Sequence, residues 1–319
     1  MKRFTSILLA ATILLAPILS AGTAHAQSAS GDPIGSGLAQ AYTMIFGTSP
    51  SKTTAGTPSS STGTDTSSTT PARAIYAALG DSVAAGAGLP GKASPVGNDT
   101  RCDRSPQAYG YTVAKSVGLP IVFVPCSGAT AGDLFTQQGV TGKNITAQVT
   151  NAYRAGKPQV ITVTAGANDA RWNYFIRECG RTNCATQNYT DASNVAQALA
   201  ETNLRTAMRT IQLRSRSNPP QVILTGYYNP VSPVCAEVQT AITPAEIEWI
   251  TTQTTALNQR IQDVADRYEF VDFAPVDFTE HDLCSSDSWV QGLSDTAPAH
   301  PTAEGQQAIA AAVIAKLNN

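Results

Sequence analysis

The stretch A-A-L-G-D-S-V-A-A-G-A-G, residues 77–88, ends an apolar run on Gly80-Asp81-Ser82 and continues in small residues. The run before it, residues 74–79, reads as a buried strand, so Ser82 falls just past a strand end. Bulky neighbours would cover a hydroxyl there, whereas Gly80, Ala84, Ala85, Gly86 and Gly88 leave room for a tight turn and for a substrate. Read alone, the motif decides little, because Asp-Ser after a strand is also an ordinary helix N-cap. The decision rests on what stands at the other strand ends.

Four further short β-branched or apolar runs, residues 121–124, 160–164, 222–225 and 270–271, are bounded by turn residues and read as strands. Helical spacing fills residues 192–213, 244–268 and 302–317. Strand and helix alternate, which predicts an α/β protein with a parallel sheet wrapped by helices on both faces and a site at the carboxyl ends of the strands. No internal repeat is visible.

The chain has 319 residues, 42% of them hydrophobic and 14% charged, which is a globular composition. Met1-Lys2-Arg3, an apolar run over residues 7–19 and Ala24-His25-Ala26 together read as a secretory signal peptide, residues 1–26, cleaved after Ala26. The alternative, a membrane anchor, is disfavoured because a spanning helix needs about 20 apolar residues. Residues 27–71 hold a short amphipathic patch (Ile34, Leu38, Tyr42, Ile45, Phe46) and then, from Thr48, a Ser/Thr-rich flexible linker. One domain, residues 72–319, remains. A net charge of −2 leaves no electrostatic footprint for nucleic acid or an anionic membrane surface. The six cysteines, at 102, 126, 179, 184, 235 and 284, lie in that domain, and export favours disulfides over a metal site. Fifteen pairings are possible. The expected set is sequential, Cys102–Cys126, Cys179–Cys184 and Cys235–Cys284, each stapling a loop between neighbouring elements.

Three fragments stand at the ends of later strands. P-C-S-G-A-T-A-G-D-L follows the second and offers the Gly128 amide; T-A-G-A-N-D-A-R-W-N follows the third and carries Asn168. Near the C-terminus, A-P-A-H-P-T-A-E-G-Q sets His300 just before a helix start. With G-D-S, these four ordered blocks resemble the SGNH family of GDSL-type hydrolases over nearly all of residues 72–319. The cysteine spacing looks most like the family's extracellular actinobacterial lipase and esterase branch. The resemblance implies a three-layer α/β/α sandwich with a parallel sheet of about five strands. It also implies Ser82 as nucleophile, His300 as base, and an oxyanion hole formed by the Ser82 and Gly128 amides and the Asn168 side chain. The chemistry is self-consistent: a serine hydroxyl needs a base within hydrogen-bond reach, and donors aimed at the developing oxyanion stabilise the transition state.

The chain departs from the family pattern at one point. The acid that usually orients the histidine lies three residues before it, and that position is Ala297. Either a backbone carbonyl in residues 297–299 accepts from the imidazole, giving a Ser–His dyad, or Asp295 reaches back as the acid. The carbonyl is the favoured reading. His281 is the alternative base, with loop packing near Cys284 as its simpler role. Asp81 is expected to cap and brace the turn, and Asp169 and Arg171 to fix the loop after Asn168. Trp172, Tyr174, Phe175, Tyr227, Tyr228 and Trp249 read either as an acyl pocket or as packing. The Asn-x-Thr sites at Asn98, Asn144 and Asn188 carry no weight if the source is bacterial. The function expected is a secreted, extracellular monomeric serine esterase or lipase acting on small-molecule or lipid esters, without cofactor or metal. A polysaccharide deacetylase, a phospholipase and a non-catalytic surface binding module are the alternatives.

Overall fold

The computed structural model describes residues 73–91, 100–138, 145–232, 235–239 and 241–318. The signal peptide, the linker, Asn98 and Asn144 lie outside the described residues. Among the described residues, five strands form one sheet: β1 (Ala74–Gly80), β2 (Ile121–Phe123), β3 (Lys157–Thr164), β4 (Gln221–Thr225) and β5 (Val271–Ala274). Their order is β2-β1-β3-β4-β5, and every pairing is parallel. Strands covered on both faces need apolar side chains throughout, and Leu79, Ile161, Ile223 and Leu224 are fully buried.

Three threonines interrupt these runs without penalty because each hydroxyl finds a partner. Thr162 Oγ1 lies 2.6 Å from the Tyr76 hydroxyl, and Thr164 Oγ1 lies 2.9 Å from the Tyr109 hydroxyl and 2.7 Å from Thr225 Oγ1. Helices Tyr109–Val117 and Ala303–Leu317 pack together, while Gln187–Ser215 packs with Gln148–Ala155 and Pro244–Ala265, making the two outer layers of an α/β/α sandwich. The fold is the one expected, with shifted element bounds: the last strand, expected over residues 270–271, runs Val271–Ala274, the helix expected over residues 244–268 ends at Ala265, and two elements start early. The third strand begins at Lys157 and the long helix at Gln187, both earlier than the apolar pattern suggests, because polar exposed residues extend each element beyond its buried part.

The cysteines pair as Cys102–Cys126, Cys179–Cys184 and Cys235–Cys284. Among the described residues, no helix is long and apolar enough to cross a membrane.

Candidate active site

In a parallel sheet of this order, the chain leaves β1 toward β2 on one side while β3 lies on the other, so a crevice opens beyond the carboxyl ends of β1 and β3. Ser82 stands in that crevice. β1 ends at Gly80, whose φ of 137° and tight surroundings demand glycine: a Cβ there would lie 2.1 Å from the Thr164 carbonyl oxygen. The Asp81 amide donates to Thr164 O at 2.9 Å and the Cys126 amide to Gly80 O at 2.9 Å, tying the turn to both neighbouring strands. Buried Gln148 completes the clamp, accepting from the Gly80 amide at 2.7 Å and donating to the Gly80 carbonyl at 2.9 Å.

Ser82 opens a four-residue helix, Ser82–Ala85, capped by Asp81, whose Oδ1 accepts from the Val83 amide at 2.9 Å. As the first helical residue, Ser82 has an amide without an intrahelical acceptor. Asp81 is buried, and its Oδ2 accepts from the Tyr227 hydroxyl at 2.5 Å. Burial pushes its carboxyl up to about 7, although the Tyr227 hydroxyl and the Val83 and Ala84 amides pull the other way.

After β2, Gly128 takes φ 79°, a left-handed turn that glycine permits. The Cys102–Cys126 bridge and Arg104 fix this loop; the guanidinium donates to Pro125 O at 2.5 Å and to Val124 O at 3.1 Å. After β3, Asn168 Nδ2 donates to Ala129 O at 2.8 Å, next to Gly128. An amide nitrogen carries two protons, so the second stays available for an incoming oxygen. Asp169, buried, locks the two loops together by accepting from the Ala131 amide and from Asn203 Nδ2, each at 2.7 Å.

His300 arrives on the segment before the last helix, whose N-cap is Thr302. Its Nε2 lies 2.8 Å from Ser82 Oγ, and its Nδ1 lies 3.1 Å from Pro298 O. A carbonyl oxygen only accepts, so Nδ1 holds the proton and Nε2 presents its lone pair to the Ser82 hydroxyl. Burial lowers the pKa of His300 below the ordinary 6.5, opposed by the Pro298 carbonyl, by Asp103 and by the Ala297 carbonyl. Asp295 is exposed and accepts from the Gly292 amide at 2.7 Å. The carbonyl of Pro298, rather than that carboxylate, therefore faces the imidazole. His281 stacks on Trp289 at 3.6 Å, with Nδ1 2.8 Å from Asp287 O, which is the packing role.

Two buried glutamines that the sequence reading passes over join the histidine segment to the serine segment. Gln291 Nε2 donates to Ala87 O at 2.8 Å and to Pro301 O at 3.0 Å. Gln306 accepts from the Tyr109 amide at 2.8 Å and donates to Val83 O at 2.9 Å. The aromatic residues divide. Phe175 is buried edge-on against Trp249 at 5.8 Å, and Tyr227 and Tyr228 are buried with their hydroxyls engaged, so these four are packing and bracing residues. Among the described residues, the single cluster of metal-type ligand atoms is Cys235, Asp282 and Cys284, and both sulfurs are spent in a disulfide.

Residues 78–308 match the model of the GDSL-like lipase/acylhydrolase family. The chain belongs to this family of ester hydrolases. No curated protein matches the chain. Among solved structures, it is similar to an extracellular lipase from Streptomyces rimosus, with 24% identity, a TM-score of 0.57, and coverage of 76% of this chain and 98% of that one. It is also similar to a phospholipase A1 from Streptomyces albidoflavus NA297, with 26% identity, a TM-score of 0.57, and coverage of 77% and 99%. This member of the GDSL-like family keeps the open turn after β1 and lacks a carboxylate three residues before its C-terminal histidine.

Proposed function

We propose that the protein is an exported serine esterase that hydrolyses carboxylic esters through an acyl-enzyme on Ser82, with His300 as the base of a Ser–His dyad. The observation that carries this reading is the 2.8 Å contact between Ser82 Oγ and His300 Nε2, with Nδ1 turned to a backbone carbonyl. As Ser82 Oγ bonds to the ester carbonyl carbon, its proton passes to Nε2. The carbonyl oxygen becomes an oxyanion held by the Ser82 and Gly128 amides and Asn168 Nδ2. Collapse of the intermediate breaks the ester C–O bond, and the leaving alkoxide takes the proton from His300. Water then repeats the sequence on the acyl-enzyme, releasing the acid and restoring Ser82. Each preorganised donor contributes about 2.7–4 kcal/mol to such a transition state.

Export is supported by the N-terminal residues 1–26 and by three disulfides, bonds that persist in oxidising compartments. In this reading residues 72–319 form the catalytic domain on a Ser/Thr-rich tether. Similarity to a phospholipase A1 makes a glycerophospholipid acyl ester the leading lipid substrate, with acetylated polysaccharide as the competitor. Hydrolysis of p-nitrophenyl esters of graded chain length by wild type and Ser82→Ala tests the reading. Turnover lost in the variant supports it, equal rates in both proteins reject it, and a preference for acetate over longer chains favours the deacetylase.

A further inference from the structure

The β4 strand, paired beside β3, runs out at its carboxyl end into Gly226-Tyr227-Tyr228. Both tyrosines are buried. Asn258 holds the first by its backbone, accepting from the Tyr227 amide and donating to the Tyr227 carbonyl, each at 2.7 Å. The second stacks on Phe278 with ring centroids 4.1 Å apart. Their hydroxyls reach different halves of the site. The Tyr227 hydroxyl donates to Asp81 Oδ2 at 2.5 Å and accepts from the Ala167 amide at 3.2 Å. It thus joins the residue before Ser82 to the residue before Asn168. The Tyr228 hydroxyl donates to Ala299 O at 2.8 Å, on the residue before His300.

Ala299 is the informative partner. Its φ of 62° lies in the left-handed region, which is unfavourable for a residue with a Cβ and persists only where the surroundings impose it. This conformation lies between the Pro298 carbonyl that faces Nδ1 and the imidazole itself. The Ala299 amide is held from the other side by Gln291 O at 3.0 Å.

We propose that Tyr227 and Tyr228 are positioning residues of the ester-hydrolysing site: Tyr227 sets the spacing of the Ser82 turn against the Asn168 turn, and Tyr228 holds Ala299 so that the Pro298 carbonyl orients His300. Neither touches the reacting atoms. The proposal rests on the dyad reading above, and the two fail separately: turnover retained by Ser82→Ala overturns the dyad, whereas the tyrosines are tested in proteins whose Ser82 is intact.

Tyr227→Phe and Tyr228→Phe keep each ring and remove only the hydroxyl. Rates are expressed per active site counted by organophosphonate titration, so any unfolded fraction drops out. Each variant is expected to lose about 5- to 100-fold in kcat with KM nearly unchanged, since misplacement of reacting groups by about 1 Å costs up to about 100-fold. The variants should then differ. Loosening the Pro298 carbonyl removes an influence that raises the His300 pKa, so Tyr228→Phe should move the acid limb of kcat/KM to lower pH while Tyr227→Phe leaves it in place. In a double-mutant cycle with Asn168→Ala, Tyr227→Phe should be strongly non-additive, because it acts through the Asn168 turn, and Tyr228→Phe additive. Wild-type kcat in both variants, or an unchanged acid limb in Tyr228→Phe together with additivity in the Tyr227 cycle, would overturn the proposal.

Discussion

Burial of His300 works against its charged form, so the neutral imidazole, the form able to accept the Ser82 proton, persists below the ordinary histidine pKa of 6.5. The His300 limb of kcat/KM should accordingly lie below pH 6.5 in wild-type protein; a limb at about 7 that disappears in Asp81→Asn would belong to the buried Asp81 carboxyl, and one at or above 6.5 that persists there would mean that an accepting partner outweighs burial. Asp295→Ala should leave kcat within about threefold of wild type, because an exposed carboxylate engaged by a loop amide lends the imidazole little through high-dielectric surroundings. Asn168→Ala should cost about 10²–10³ in kcat if Asn168 is the proposed oxyanion donor, the usual loss for one such donor. Asp81 gives a stability signature of opposite sense to His300. Its carboxyl is protonated up to about pH 7 in the folded chain and only to about 3.8 in the unfolded one, so the folded state holds an extra proton between these values. Stability from this group is full below pH 3.8 and declines as pH rises to about 7. The lowered pKa of His300 contributes stability that is present above 6.5 and is lost as pH falls through its folded value. Urea titrations of Asp81→Asn against wild type across that window should show the decline flattened in the variant.

Strand ends and their turns set the distances on which this chemistry depends. Gly80 allows β1 to close against Thr164, and Gln148 supplies the hydrogen bonds that a further stretch of strand would have made. Gln148→Leu leaves the buried Gly80 amide unpaired, at about 1–3 kcal/mol, while the Gly80 carbonyl keeps its bond from the Cys126 amide, and should lower the urea midpoint and activity together. Much of this scale was legible from residue order alone. Gly-Asp-Ser, Gly128, Asn168 and His300 each follow an apolar run or precede a helix, which local pattern locates, and the resemblance to the GDSL-type hydrolases singles them out. Gln148, Tyr227, Gln291 and Gln306 were not legible, because their partners lie 68, 146, 204 and 223 residues away in sequence. A polar side chain with a partner that distant looks, in sequence, like any surface residue. The aromatic pair Tyr227-Tyr228 shows the same limit: residue type left pocket lining and packing both open, and only the fold assigns the hydroxyls to Asp81 and Ala299.

At the scale of the whole molecule, the sheet order gathers four blocks spread over residues 80–300 into one crevice, and the GDSL-like family match over 78–308 spans the same stretch. Two disulfides bear on this assembly: Cys102–Cys126 sits under the Gly128 loop, and Cys235–Cys284 joins the segments following β4 and β5. Removing a native bridge costs about 2–5 kcal/mol, so Cys235→Ala/Cys284→Ala should lower Tm with kcat nearly intact in the folded protein. Cys102→Ala/Cys126→Ala should lower both, because the Gly128 loop, the proposed source of an oxyanion donor, is released as well. The most direct measurement of the central claim is mass mapping of the protein after reaction with a fluorophosphonate. One label per chain is expected, on the peptide containing Ser82, absent from Ser82→Ala and formed far more slowly in His300→Ala. A label on any other residue, or labelling of Ser82 at an undiminished rate without His300, would contradict a hydroxyl activated by that imidazole.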